Sequence, residues 1–424
     1  MKQYKNRVVD GLLQTKLKGI GAVLIVGPKW CGKTTTAEHF AQSVVYMDDI
    51  EQGEDLRQMA NINPRGLLQG KTPRLIDEWQ LTPKLWDAVR FEVDHRDEEG
   101  QFILTGSAVP VSTEKMNHTG IGRFSFLTMR TMSLWESGES SGEVSLKKLF
   151  EQPSQIFGQN SLSIEDVAYL TCRGGWPRAA LQSKGIALGR AFDYYDVLVK
   201  TDISRVDGIR RDEGRTIRIL RSYARNQASQ SPVSLIADDI RANDVESIDD
   251  KTVYSYLNAL KKMFVIEDLE AWNPNLRSKT AIRTSETRYF TDPSIGVAAL
   301  GLGPNDLLND LRTFGLFFET LCVRDLRIFA DSIDGKVYHY RDKNDLECDA
   351  VIHLRNGSYG LVEIKLGGEK LINDGVKTLN ALESKIDTSR MKPASFKMIL
   401  TAVGKYAYRR EDGIYIVPIG CLKD

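Results

Sequence analysis

Residues Gly27-Pro28-Lys29-Trp30-Cys31-Gly32-Lys33-Thr34 follow the pattern G-x-x-x-x-G-K-[ST]. The pattern suits phosphate for a physical reason. Two glycines let the backbone curl until successive N–H groups face an anion, the lysine brings a point charge to the β- and γ-phosphates, and the hydroxyl is placed for Mg²⁺. Lys33 and Thr34 take the last two parts, and Thr35 extends the binding stretch. A second pair of chemical residues is Asp77-Glu78, which ends the run Arg74-Leu75-Ile76. An acid at a strand tip holds Mg²⁺, and the acid after it acts as a general base toward water. Asp77 is therefore the candidate metal ligand and Glu78 the candidate catalytic base. Two acids together favour ATP hydrolysis over simple kinase chemistry.

A third constellation lies near the C-terminus. Asp349 is followed by Glu363-Ile364-Lys365, an Asp, then Glu-x-Lys spacing. Alternation places Ala350, Ile352 and Leu354 on one strand face and Val362, Ile364 and Leu366 on one face of the next. If both rows enter one core, opposite residues must have an even number sum. A three-residue loop, Arg355-Asn356-Gly357, satisfies this, with Gly357 in the left-handed position that such loops favour. Asp349, Glu363 and Lys365 then share the face opposite the core. Two converging acids can bind Mg²⁺, with Lys365 beside them to orient water or stabilise charge. An ion pair of Lys365 with those acids is the plainer alternative.

These groups need elements to hold them. Ala22–Val26 reads as a buried parallel strand before the phosphate loop, and Thr35–Ala41 as the helix after it. Val44–Asp48 and Gln101–Thr105 are further strands, the latter running into Gly106-Ser107. Ser107 or Thr105 at that tip can sense the γ-phosphate; a hydroxyl in an ordinary turn is the alternative. A glycine-containing loop at 118–123 leads into a fifth strand, and Arg123 stands just before it. It is placed to reach the phosphates of a neighbouring subunit, or else to form a surface ion pair.

Together Gly27–Thr34, Leu75–Glu78, Leu104–Ser107 and Gly122–Leu134 resemble the AAA+ ATPases. More narrowly they are similar to bacterial and archaeal ATPases that join this core to a C-terminal domain of unknown function. Trp30-Cys31 departs from the usual small aliphatic filling of the phosphate loop. The resemblance continues through Arg173-Gly174-Gly175-Trp176-Pro177, where such proteins place a small helical lid, with Arg173 or Arg178 as candidate nucleotide contacts. At the C-terminus it implies a PD-(D/E)xK nuclease-like domain. Cys348-Asp349 stands for the usual proline-aspartate pair, and Glu319 on the first helix completes a metal site with Asp349 and Glu363.

The expected fold is therefore α/β: an AAA+ P-loop core over 15–135, a helical lid or connector over 136–205, a winged-helix-like segment over 206–300 and a restriction-endonuclease-like domain over 310–424. In the third segment Arg211, Arg215, Arg218 and Arg225 fall at one-face helical spacing, and Asp250 can cap a helix over 251–263. Either feature can contact DNA or simply be a solvated face. The expected function is Mg²⁺-dependent ATP binding and hydrolysis coupled to a nuclease-like domain acting on DNA. The competing class is an ATP-dependent switch whose C-terminal domain only binds partners, in a homo-oligomer if Arg123 acts in trans.

The 424 residues set bounds on this reading. Lys+Arg and Asp+Glu each number 57, so no net field points to a polyanionic partner, and 42% hydrophobic residues is ordinary for a globular chain. Five cysteines without paired or metal-ligand spacing fit a reducing cytoplasm. No run of about 18 apolar residues suggests a membrane span.

Overall fold

The computed structural model describes residues 4–106, 120–153, 156–243, 248–273, 285–389 and 391–424. By mutual contact the chain divides into two units: Met1–Thr131 with Arg205–Ile209 and Lys262–Phe264, and the remainder. The lid, winged-helix-like and nuclease-like segments expected from the sequence fall almost wholly in the second. Among the described residues no helix is long and apolar enough to cross a membrane.

The first unit holds α1 (Val8–Leu17), β1 (Ala22–Val26), α2 (Lys33–Phe40), β2 (Ser43–Tyr46), α3 (Gly53–Ile62), α4 (Pro64–Leu67), β3 (Arg74–Asp77), α5 (Lys84–Arg96), β4 (Phe102–Thr105) and β5 (Phe124–Thr128). The five strands form a parallel sheet in the order β2-β3-β4-β1-β5. Both faces of β1 are covered, which is why its sequence is apolar without alternation. Ala22, Leu24 and Val26 join Ile76, Trp79, Trp86 and Phe102 in one core. Val23 and Ile25 join Val9, Leu13, Ala37 and Leu127 in the other. Each such aliphatic side chain contributes about 1.5–3 kcal/mol on full burial. Strands β1 and β4 are parallel neighbours, so their carboxyl ends lie side by side at the end of the sheet where open α/β folds bind ligands.

The second unit begins with α6 (Leu134–Ser137), β6 (Val144–Ser145), α7 (Leu146–Glu151) and β7 (Gly158–Gln159). Helices α8 (Ile164–Arg173), α9 (Lys184–Lys200), α10 (Glu213–Arg225), α11 (Val233–Asn243), α12 (Asp250–Lys262), α13 (Pro293–Leu300), α14 (Pro304–Asn309) and α15 (Leu311–Ser332) follow. Ser163 and Asp166 form the box that caps α8. Arg211 precedes α10 rather than sharing its face. It is buried and donates to the carbonyls of Ile203 and Ser255, so it is a structural cation. Asp249, not Asp250, caps α12 by accepting from the Thr252 N–H at 2.8 Å. In the winged-helix-like segment the stretches 264–272 and 287–291 pair only through isolated bridges, Ile266 with Phe290 and Leu269 with Thr287.

The chain then forms β8 (Gly335–Arg341), β9 (Glu347–Leu354), β10 (Tyr359–Lys365), α16 (Glu369–Lys385), β11 (Phe396–Thr401), β12 (Tyr406–Arg409), β13 (Tyr415–Pro418) and β14 (Leu422–Lys423). Strands β8 to β13 join β7 in one mixed sheet in the order β7-β12-β13-β11-β10-β9-β8, and β14 pairs with β6. Strands β9 and β10 pair with Gly360 opposite Ile352 and Val362 opposite Ala350. This is the even-sum register, and Gly357 closes the loop at φ +83°.

A buried ionic knot ties the helices of this unit to the second half of α15. Arg324, fully enclosed, donates to Asp292 at 3.1 Å and to Asp325 at 2.9 Å. Asp292 also accepts from the Gly175 N–H, and Asp325 from the Leu134 N–H. These donors, with the Ser294 N–H and hydroxyl on Asp292, satisfy two acids that burial alone would exclude.

Candidate nucleotide site and the C-terminal carboxylate cluster

The phosphate loop connects β1 to α2, so its N–H groups stand at a helix N-terminus. Its glycines are required by contact and conformation. A Cβ on Gly27 would lie 2.0 Å from the Met129 carbonyl oxygen, and Gly32 has φ +104°. Trp30 adopts a left-handed φ of +65°, with its side chain about half exposed, while Cys31 is buried and donates to the Met129 carbonyl. Pro28 is buried, Lys29 half-buried, and Thr35 is exposed on the first turn of α2. Arg7 braces the loop from outside the motif. Its guanidinium donates to the carbonyls of Cys31 and Arg130, each at 3.0 Å. Nothing local in the sequence marks Arg7, because its partners are backbone atoms 24 and 123 residues away.

Lys33 turns back on its own loop and donates to the carbonyls of Gly27 at 2.9 Å and Pro28 at 2.8 Å. Thr34 donates to both carboxylate oxygens of Asp77, at 3.0 and 3.2 Å. Thr105, at the tip of β4, donates to the same carboxylate. Burial pushes the Asp77 carboxyl upward, opposed by these two hydroxyls. Glu78 follows at φ +52°, a left-handed conformation that is costly for glutamate and is kept only where the surroundings fix it. Its carboxyl is also raised, first by desolvation and further by Asp77 and Asp48, while Gln80 and Lys33 act against the rise. Gln80 donates to Glu78 from the short helical turn Trp79–Leu81. The sequence offered Gln80 only by its nearness to the acid pair. The expected contact from Ser107 lies outside the described residues.

Arg123 stands before β5, which runs parallel to β1, so it lies at the end of the sheet opposite its own phosphate loop. There its Nε pairs with Asp94 at 2.7 Å, on the surface. Arg173 is buried in the second unit, where it pairs with Glu139 and donates to the Gly174 carbonyl.

The C-terminal charges meet, though not on a free face. Val351, Tyr359 and Leu361, which share parity with Asp349 and Glu363, pack in a core with Val376, Leu379 and Leu382 of α16. The alternate row, Ala350, Ile352, Val362 and Ile364, is buried as well. The sheet is therefore covered on both faces, and the carboxylates lie in the row that faces α16 rather than opposite the core. Alternation failed to show this because both rows are apolar along most of their length.

Lys365 joins the two acids, 3.0 Å from Asp349 and 2.7 Å from Glu363. Asp349 also accepts from the Ile364 N–H. Burial and the Asp349 charge push Glu363 up to about 8 despite Lys365. Glu319 lies in the middle of α15, half-buried, and accepts from the Tyr289 hydroxyl. Desolvation and the Asp349 charge raise its carboxyl well above the usual range. The fold thus gathers all four charges, with one ammonium among three carboxyls. Among the described residues, however, no three His, Cys, Asp or Glu side chains are grouped to hold a metal ion. Tyr289 gave no signal in the sequence.

Family models match the chain in three stretches. Residues 20–137 match an AAA domain, 164–306 a domain of unknown function numbered 8612, and 314–422 a domain of unknown function numbered 4143. The first stretch is thus a P-loop domain of the AAA ATPase type. No curated protein matches the chain. Among solved structures it is similar to the Walker-type ATPase paby2304 of Pyrococcus abyssi, at 16% identity and a TM-score of 0.44, over 70% of this chain and 96% of that one. It is also similar to AMPPCP-bound DnaA from Aquifex aeolicus, at 15% identity and a TM-score of 0.28, over 62% and 89%. A DNA replication initiation factor matches at 13% identity and a TM-score of 0.28, over 60% and 86%. At these identities and scores the likenesses say nothing of function.

Proposed function

We propose that the chain binds ATP with Mg²⁺ and hydrolyses it, and that turnover switches the state of its C-terminal half. The observation that carries this reading is the Thr34–Asp77–Thr105 cluster set against the phosphate loop. A buried carboxylate held by two hydroxyls at a strand tip offers oxygen ligands of the kind a hard cation takes. Thr34 and Asp77 would hold Mg²⁺, which neutralises charge on the β- and γ-phosphates when bound. Lys33 would leave the carbonyls of Gly27 and Pro28 for phosphate oxygens. Glu78 would take a proton from water as the water oxygen bonds to the γ-phosphorus. The bond from that phosphorus to the bridging oxygen breaks, and ADP leaves. Phosphate release should require a divalent cation and stop with chelator; release that persists in chelator would contradict the reading.

Arg123 lies at the far end of its own sheet, so any contact it makes with a phosphate is with a neighbour's, in a homo-oligomer. For the C-terminal half, the ion pairs of Lys365 with both acids favour partner binding without chemistry. A second reading, metal-dependent cleavage of DNA, is supported by the surplus of carboxyls over cations and by Glu363 Oε1, which is buried without a hydrogen-bond partner among the described residues. Among the described residues the acids as placed do not form a metal site. A nicking assay on plasmid with Mg²⁺ or Mn²⁺ separates the two. The binding reading expects no nicking that depends on Asp349 or Lys365. Nicking by the native chain that disappears in both Asp349→Ala and Lys365→Ala would establish the second reading instead.

A further inference from the structure

Gln80 has a donor and an acceptor, and the structure accounts for only the donor. Because an ionised carboxylate can only accept, the amide nitrogen must be the end that faces Glu78, which fixes the orientation of the carboxamide. The other end, Oε1, is buried and has no hydrogen-bond partner among the described residues. A buried acceptor left open costs stability, so its persistence asks for a ligand.

Its surroundings indicate which one. Oε1 lies against Gly106, directly after Thr105 at the tip of β4, where a Cβ would come within 2.2 Å of it. Gly106 needs no positive φ, so a side chain there would displace the Gln80 carboxamide without straining the backbone. The buried Trp79 side chain anchors the turn that carries Gln80, and the Leu81 N–H bonds back to the Glu78 carbonyl. Gln80 is thereby held between the candidate base and the strand tip that supports Asp77.

We infer that Gln80 is a catalytic residue of the ATP site: its nitrogen fixes the Glu78 carboxylate, and its Oε1 accepts one hydrogen of the attacking water. The inference rests on the hydrolytic reading above. Water has two hydrogens to place before a lone pair can point at phosphorus. Glu78 receives the one that is transferred, and Gln80 holds the one that stays. Orientation of this kind belongs to the transition state, so its loss lowers kcat and not nucleotide affinity.

A double-mutant cycle on the full chain tests this, with phosphate release and equilibrium ATP binding measured for Gln80→Ala, Gly106→Ala, the double variant and Glu78→Gln. Gln80→Ala removes the carboxamide, and Gly106→Ala keeps it but forces it aside. Each single change should lower kcat about tenfold or more with the ATP dissociation constant within about threefold, and the double variant should be no slower than Gln80→Ala. Turnover of Gln80→Ala within about twofold of native, effects that multiply in the double variant, or parallel loss of ATP binding would each overturn the assignment. If Glu78→Gln itself turns over normally, the hydrolytic reading fails; if it is inactive while Gln80→Ala is not, only the role of Gln80 fails.

Discussion

Glu78→Gln is expected to keep ATP binding and to lower turnover about 10²- to 10⁴-fold, the usual contribution of a positioned general base. The substitution preserves shape and hydrogen bonding toward Gln80 but removes the proton acceptor. Glu78 contributes little to holding the nucleotide, because the binding groups are the loop N–H donors, Lys33 and Thr34. The same residue sets a pH dependence. Its carboxyl is raised above the ordinary 4.5 by desolvation, then by Asp77 and Asp48, with Gln80 and Lys33 opposing. A base must be ionised to act, so kcat should fall as pH is lowered through that raised value. The acid limb should lie above pH 4.5 and vanish with the residual activity of Glu78→Gln. A variant that turned over normally, or one that lost ATP as well, would remove Glu78 from the role of base.

Lys33→Ala is expected to weaken ATP binding about 30-fold or more, the effect of truncating one partner of an enclosed charge pair. Lys33 is only 7% exposed, and its ammonium is held by two carbonyls of its own loop. Those carbonyls keep a buried charge solvated until phosphate replaces them. Alanine leaves the curl of Gly27 and Gly32 intact but takes away the buried ammonium at the helix end of the loop. Equilibrium titration with ATP and excess Mg²⁺ checks this, with a thermal melt to show that the variant is folded. Native-like affinity would mean that the loop does not grip a triphosphate.

The two ends of the chain differ in how far their chemistry could be read from sequence. The P-loop core was legible because its signals are local: an apolar run, a glycine-lined turn, a helix and a strand-tip acid pair. The even-sum register of β9 and β10 was also legible, since loop length and Gly357 fix it. The burial of the carboxylates under α16 was not, because two apolar rows on one strand cannot say which face is wet. Arg211 shows a related limit. Its spacing matched a helix face, but the helix starts two residues later, after the Asp212 cap. Contacts made to distant backbone, such as those of Arg7, leave no pattern in the chain at all.

The most direct test is whether the purified chain holds ATP. Trp30, half exposed in the phosphate loop, gives an intrinsic fluorescence signal for the titration. The expected result is saturable binding of one nucleotide per chain in the presence of Mg²⁺, abolished or strongly weakened in Lys33→Ala. Failure of the native chain to retain labelled ATP at millimolar concentration with excess Mg²⁺ would contradict it.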